Sequence, residues 1–299
     1  MFIFALLTAI CWGGADLFYK AGAEEKNKYS ALKTVIAVGL VMGIHAFIYM
    51  LANKVEFTFL DIAKYLPVSA LYIISMAIGY RGLRYLDLSV ASPVQNASGA
   101  LVLVLCLIFF QTALGTLDLI GVILITVGIF AIGLIEKKEE AYVPLVDSDK
   151  KYRVSVLAIL FPILYCIIDA LGTFADAIYL DELQLISEDA ALIAYELTFF
   201  VCAIVCFVFL LVKKADFNIK SDKFKLGAAV FETAGQFFYV FAMGWNATIA
   251  APLVASYCVF SILFSVIFLK EKLSLRKWLA VGLVVASVIL LGISEGLAS

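Results

Sequence analysis

Two stretches decide the fold when they are set one above the other: "ASPVQNASGALVLVLCLIFFQTALG" (Ala91–Gly115) and "AAPLVASYCVFSILFSVIFLKEKLS" (Ala250–Ser274). Each has a proline in third place and then an apolar run of the length that crosses hydrocarbon as a helix. The offset of 159 that pairs them continues ungapped on both sides. It aligns Ala70 with Ala229, Tyr80 with Tyr239, Val122 with Val281 and Gly133 with Gly292. Nearer the N-terminus the offset shrinks to 153, which pairs Ala5 with Ala158 and Asp16 with Asp169. The chain therefore reads as two copies of one unit.

Composition gives the class. Of 299 residues, 64% are hydrophobic and 15% charged, with a mean hydropathy of +1.06, far outside the range of soluble domains. Apolar runs recur at 2–20, 31–52, 63–83, 88–110, 118–135, 154–178, 189–212, 225–243, 248–269 and 274–294. The expected fold is an all-α integral membrane protein with ten transmembrane helices, five in each copy. Expected units are 1–135 and 154–299, joined by a linker over 136–153 that contains "EKKEEAYVPLVDSDKKYR" (Glu136–Arg153). The opening "MFIFALLTAI" has no basic residue ahead of it and runs on to Asp16 and Lys20, so it reads as a first span and not as a cleaved signal.

An odd number of helices per copy forces the second copy into the membrane upside down. The loops agree with that geometry. "RGLRYLDL" in the first copy is basic where its counterpart "MGWNATIA" has no charge, and "QTALGTLD" has no basic residue where "KEKLSLRK" is rich in Lys and Arg. Alternating ten spans puts twenty of the 22 basic residues on one side and only Lys54 and Lys64 on the other. The positive-inside rule makes the crowded side cytoplasmic, so both termini are expected outside, in a bacterial plasma membrane. The expected architecture is a 5+5 inverted-topology repeat, a design found among carriers that work by alternating access.

The stretch "CWGGADLFYK" (Cys11–Lys20) and the run from Ala242 to Ile293 carry a resemblance. The first resembles the Trp-Gly and downstream Lys pattern of the first helix in the drug/metabolite transporter superfamily, EamA type. The second is similar to that family's ninth helix, Glu-containing turn and tenth helix. The resemblance implies a ten-helix carrier of small metabolites whose cavity is lined by the first four helices of each half. The chain departs from the pattern at Gln111-Thr112, which stand opposite Lys270-Glu271, and at Tyr165-Cys166, which stand in place of Trp-Gly. Its later acidic residues are not part of the family pattern, so the resemblance does not supply a solute.

Asp16, Asp169, Asp176, Glu196 and Glu232 lie within expected spans. A carboxylate near a helix centre costs on the order of 2.5 to 3.5 kcal/mol, so five of them call for a wet cavity, for partners or for protonation. Asp169 and Glu232 are the leading candidates to bind substrate or proton. Asp176 and Glu196 are candidates as well, although interfacial solvation also accounts for Asp176, and Asp16 has Lys20 at i+4 as a structural partner. Tyr72, Tyr80, Tyr195, Tyr239 and Trp245 are candidates to present π faces to a cation. Gln95 and Asn96, with Ser98, either line a cavity or hold helices together. His45, the single histidine, reads first as a hydrogen-bonded packing residue, and Lys33 as a residue that snorkels to the surface.

The expected function is secondary active transport of a small organic solute, cationic or zwitterionic, by alternating access coupled to protons. A neutral amino acid or sugar carrier, and a channel or non-transporting scaffold, remain as alternatives. The six cysteines lie in apolar runs and read as packing residues, Cys202 and Cys206 included, so neither a cofactor nor a metal is expected. No nucleophile–base set suggests an enzyme and no basic tract suggests nucleic acid. The expected partners are the solute, the lipid bilayer and, as a further possibility, a second copy in a homodimer.

Overall fold

The computed structural model of the protein describes residues 2–22, 24, 27–82, 94–110, 114–140, 156–218, 220, 222–270 and 273–298. Described residues fold as helices: α1 (Phe2–Gly22), α2 (Ser30–Asn53), α3 (Phe59–Gly82), α4 (Ser98–Phe109), α5 (Thr116–Glu140), α6 (Val156–Ala177), α7 (Glu188–Val212), α8 (Lys223–Ala255), α9 (Tyr257–Leu269) and α10 (Leu275–Ala298). One π-turn, Ile178–Glu182, follows α6. Among the described residues eight stretches are long and apolar enough to cross a membrane, and Val94–Phe109 is a shorter apolar helix. Lipid accounts for the outer surface, where Ile48, Leu51, Val205, Val212 and Ile289 stand exposed. The expected span 88–110 is described only from residue 94, and Pro93 and residues 141–155 lie outside the described residues.

The sequence divides 225–243 from 248–269, whereas the longest helix, α8, continues from the first of these into the second as far as Ala255. The physical reason is a bend at Asn246, whose φ of −164° and ψ of 91° are extended inside α8. Its side-chain oxygen accepts the backbone N–H of Ile249 at 3.2 Å, and Asp181 in the π-turn accepts that of Ala247 at 2.9 Å. Those are the bonds that satisfy the orphan donors of a helix N-terminus, so the chain ends one helix and begins another with no loop between them. A second interruption falls at Ser256, between α8 and α9, four residues after Pro252. Its counterpart is Ala97, which separates helical residues 94–96 from α4, and the two interruptions are 159 residues apart, the offset of the repeat.

Helices associate pairwise. α1 packs on α8, α2 on α7, α3 on α6, and α5 on α10, with α4 against α6 and α8. With lipid as solvent such contacts rest on close van der Waals approach, which favours small residues. Gly39 and Gly43 supply it on α2: a Cβ on Gly39 would stand 2.5 Å from the carbonyl oxygen of Phe199 on α7. At one end of the bundle Asp222, just before α8, lies 2.9 Å from Lys225 and 3.4 Å from Lys33, while Glu24 lies 2.6 Å from Lys225. Lys33 is therefore buried in an ion-pair cluster and does not snorkel. Burial pushes the Asp222 carboxyl up, but hydrogen bonds from Lys225 and the Asn218 backbone and the charges of Lys225 and Lys33 outweigh it, so its pKa is lowered. Glu24 is held below its ordinary value in the same way: burial raises it, and Lys225 and Asn27 bring it down further.

Candidate functional site

Three helices present the same spacing. Trp12, Asp16 and Tyr19 on α1, Tyr165, Asp169 and Thr173 on α6, and Glu232, Gln236 and Tyr239 on α8 are each three to four residues apart, so each set shares one helix face. All nine line one central cavity of about 110 Å³. Trp12 reaches its position because Gly235 leaves room for the indole, which donates to the backbone carbonyl of Glu232 at 3.4 Å. Its ring lies 5.2 Å from that of Tyr239 and 6.0 Å from that of Tyr257.

The two interrupted segments close the cavity from the sides: Gln95, Asn96, Ser98 and Gly99 come from one, and Ala251, Val254, Ala255 and Tyr257 from the other. They also hold the two repeat-related carboxylates. Ser261 on α9 donates to Asp16 at 2.6 Å, and Ser98 on α4 donates to Asp169, with Ser75 3.5 Å away. Each aspartate is thus tied by a hydroxyl to the interrupted segment of the opposite half.

Among the described residues the wall carries three carboxylates, Asp16, Asp169 and Glu232, together with Trp12 and seven tyrosines. None of its described residues is Lys or Arg. Such a wall favours a positive charge twice over, through the carboxylates and through the negative faces of the rings. Gln236 adds an amide nitrogen that is buried with no hydrogen-bond partner among the described residues.

The candidate residues divide accordingly. Asp16, Asp169, Glu232, Tyr72, Tyr239, Gln95 and Asn96 meet at the cavity, with Tyr80 and Tyr195. Asp176 and Glu196 do not appear on its wall. Asp176 is fully buried, so interfacial solvation does not explain it; Tyr65 donates to one of its oxygens and Tyr72 lies 3.4 Å from the other. Tyr72 in turn is 2.5 Å from the hydroxyl of Tyr239, which ties this carboxylate to the cavity from behind. Glu196, also fully buried, faces His45, whose Nδ1 lies 2.8 Å from both its oxygens. His45 is therefore the partner of an acid. Trp245 is 67% exposed, so it is not part of the aromatic wall.

Sequence reasoning missed Trp12, Tyr19, Tyr165, Tyr257 and Gln236 as lining residues. The signal was present for the first three, since each sits three or four residues from an intramembrane aspartate. α2 contributes none of the described lining residues, so the cavity draws on fewer helices than the resemblance implies. Among the described residues no group of His, Cys, Asp and Glu could hold a metal ion.

Comparison with known proteins follows the same lines. The model of the EamA-like transporter family matches residues 1–134 and again 156–293. No curated protein matches the chain. Solved structures do, 28 chains in all. One of them, a crystal structure of a protein, aligns over 99% of this chain and 98% of its own at 13% identity, with a TM-score of 0.71. At that identity the likeness concerns the fold alone.

Proposed function

Because the chain belongs to the EamA-like transporter family, we propose that it is a secondary active transporter for a small cationic or zwitterionic organic solute, working by alternating access with proton coupling. The observation that carries the reading is the wall of the central cavity, with its three carboxylates and eight aromatic rings and no described Lys or Arg. A solute bearing a phosphate or a free carboxylate as its main recognition group would need a basic clamp there. In this reading Asp169 and Glu232 bind the solute's cation or a proton in turn, and that competition couples the two fluxes.

We further propose ten spans in a 5+5 inverted arrangement, with units 1–135 and 154–299. Several observations support it. The family model matches twice, once in each unit. The bend at Asn246 divides the 46-residue apolar stretch Lys223–Phe268. Helix pairing is also what a pseudo-two-fold predicts: exchanging the first helix of each half and the third helix of each half turns the α1–α8 pair into the α6–α3 pair, while α2–α7 and α5–α10 map onto themselves.

A neutral amino acid or sugar is the second reading, favoured by the unpartnered amide of Gln236 beside Gln95 and Asn96. Counterflow in vesicles with labelled amines, amino acids and sugars separates the two. Exchange of the amines supports the cationic solute, and inhibition by neutral sugars alone overturns it.

A further inference from the structure

Behind the central cavity lies a second, larger space of about 810 Å³, lined by Lys28, Tyr29, Arg81, Phe161, Phe209 and Lys213 among others. It sits at the end of the bundle where α2 begins and α7 ends. Lys54, at the other end of the 24-residue α2, is roughly 36 Å away along the helix axis at 1.5 Å per residue. Two of the residues lining this vestibule, Tyr19 and Tyr80, also line the central cavity. Their hydroxyls are 2.9 Å apart and their ring centroids 5.1 Å apart. Both residues thus border the two spaces.

We propose that Tyr19 and Tyr80 are the gate between the central cavity and the Lys-lined vestibule, and that Glu232 is its latch. The hydrogen bonds have an order. Tyr19 donates to Glu232 Oε2 at 3.4 Å, and an ionised carboxylate only accepts. The one hydroxyl proton of Tyr19 is then committed, so Tyr80 donates to Tyr19. The chain Tyr80 to Tyr19 to Glu232 links α3, α1 and α8 across the mouth of the cavity through a 2.9 Å contact and a longer one of 3.4 Å, the latter directed by the negative charge at its end. A cation that settles on Glu232 competes with Tyr19 for that charge. Loading of the cavity thereby weakens the gate on the vestibule side, because the bound cation favours whichever arrangement frees the carboxylate for it.

The role of Glu232 rests on the cationic reading of the cavity, whereas the gate itself does not. The test therefore uses no transported solute. Val254, on the cavity wall, is changed to Cys, with Ala251→Cys as a second reporter should the first fail to fold. The protein is reconstituted in vesicles and treated with a membrane-impermeant trimethylammonium methanethiosulfonate. Peptide mass spectrometry reads labelling at the reporter apart from the native cysteines. An impermeant amine reagent shows which face is exposed, by whether it modifies Lys213 or Lys54. Tyr80→Phe, which keeps the ring, should speed labelling from the Lys213 face about tenfold, the population shift given by losing one hydrogen bond of about 1.4 kcal/mol, and Tyr19→Phe, which removes both bonds of the chain, should speed it at least as much. Glu232→Gln should do the same, and labelling from the Lys54 face should stay constant in all three. Unchanged labelling from the Lys213 face in both tyrosine variants would overturn the gate, and so would an equal rise from the two faces, which marks general loosening. If the tyrosine variants respond and Glu232→Gln does not, the latch is overturned while the gate stands. Failure of amine counterflow with the labelling pattern intact would overturn the cationic solute and leave the gate.

Discussion

Changing Asp222 to Asn is expected to lower the apparent Tm of the detergent-purified protein by about 6 °C. The side chain has no solvent exposure and lies 2.9 Å from Lys225 and 3.4 Å from Lys33. At an effective dielectric of about 20 each contact carries roughly 5 kcal/mol of gross attraction, most of it offset by the cost of taking the ions out of water. The substitution removes the attraction and leaves that cost in place. Lys225, itself buried, keeps Glu24, whose side chain is 44% exposed and screened accordingly. Losing one partner of a buried ion pair costs about 3 to 5 kcal/mol, and the remaining contact to Glu24 puts this case near the lower end. For a chain of this size about 2 °C of Tm accompanies each kcal/mol. The assay is thermal unfolding at one fixed scan rate, because unfolding of such a protein is governed by rates. A triple variant with Asp222→Leu, Lys33→Met and Lys225→Met should regain most of the loss, since replacing a whole buried set by apolar groups is close to neutral. A shift within about 1 °C for Asp222→Asn alone would refute the claim that this cluster holds the start of α2 to the start of α8.

The cluster also sets an acid dependence. Asp222 and Glu24 titrate below their ordinary values of 3.8 and 4.5, so the unfolded chain binds these protons more tightly. Their stabilisation is complete above the unfolded values and disappears as pH falls through the folded ones. The Tm difference between the parent and Asp222→Asn should therefore be full at neutral pH and shrink below about pH 4; a difference that grows on acidification would contradict this sign. Gly39→Ala should destabilise by about 1 to 3 kcal/mol, because the new Cβ meets the Phe199 carbonyl oxygen of a paired helix and backbone yields poorly; an unchanged Tm would mean that α2 and α7 are not in close contact. Ser187→Ala removes the acceptor of the Ala190 N–H at the start of α7 and should cost about 1 kcal/mol, read as a Tm loss of about 2 °C.

The helices were legible from apolar run length, because a segment in hydrocarbon must satisfy its own backbone and has little choice but helix. The matching interruptions at Ala97 and Ser256 were half legible. Pro93 and Pro252 align at the repeat offset, but only the backbone shows where each helix stops. The bend at Asn246 lay in a stretch read as a break between two spans, and it is a break in hydrogen bonding without a loop. Pairings across the fold were not legible. His45 and Glu196 are 151 residues apart, and Lys33 and Asp222 are 189 apart, so apolar run length placed His45, Glu196 and Lys33 each in its own span and pointed to no partner. The solvated alternative for Asp176 fails for a related reason: nearness to a helix end suggests water, whereas Tyr65 and Tyr72 come from another helix to enclose it. The shared face of Trp12, Asp16 and Tyr19 could have been read from spacing alone, and the same holds for Tyr165 and Asp169.

In the proposed function the carboxylates of the cavity carry the coupling between solute and proton. It is tested most directly by the double variant Asp169→Asn with Glu232→Gln, reconstituted in vesicles and assayed for uptake of a labelled amine under an imposed pH gradient. The gradient should no longer drive accumulation in this variant, while it does so in the parent protein. Accumulation that keeps the parent's dependence on pH would contradict that role of the carboxylates.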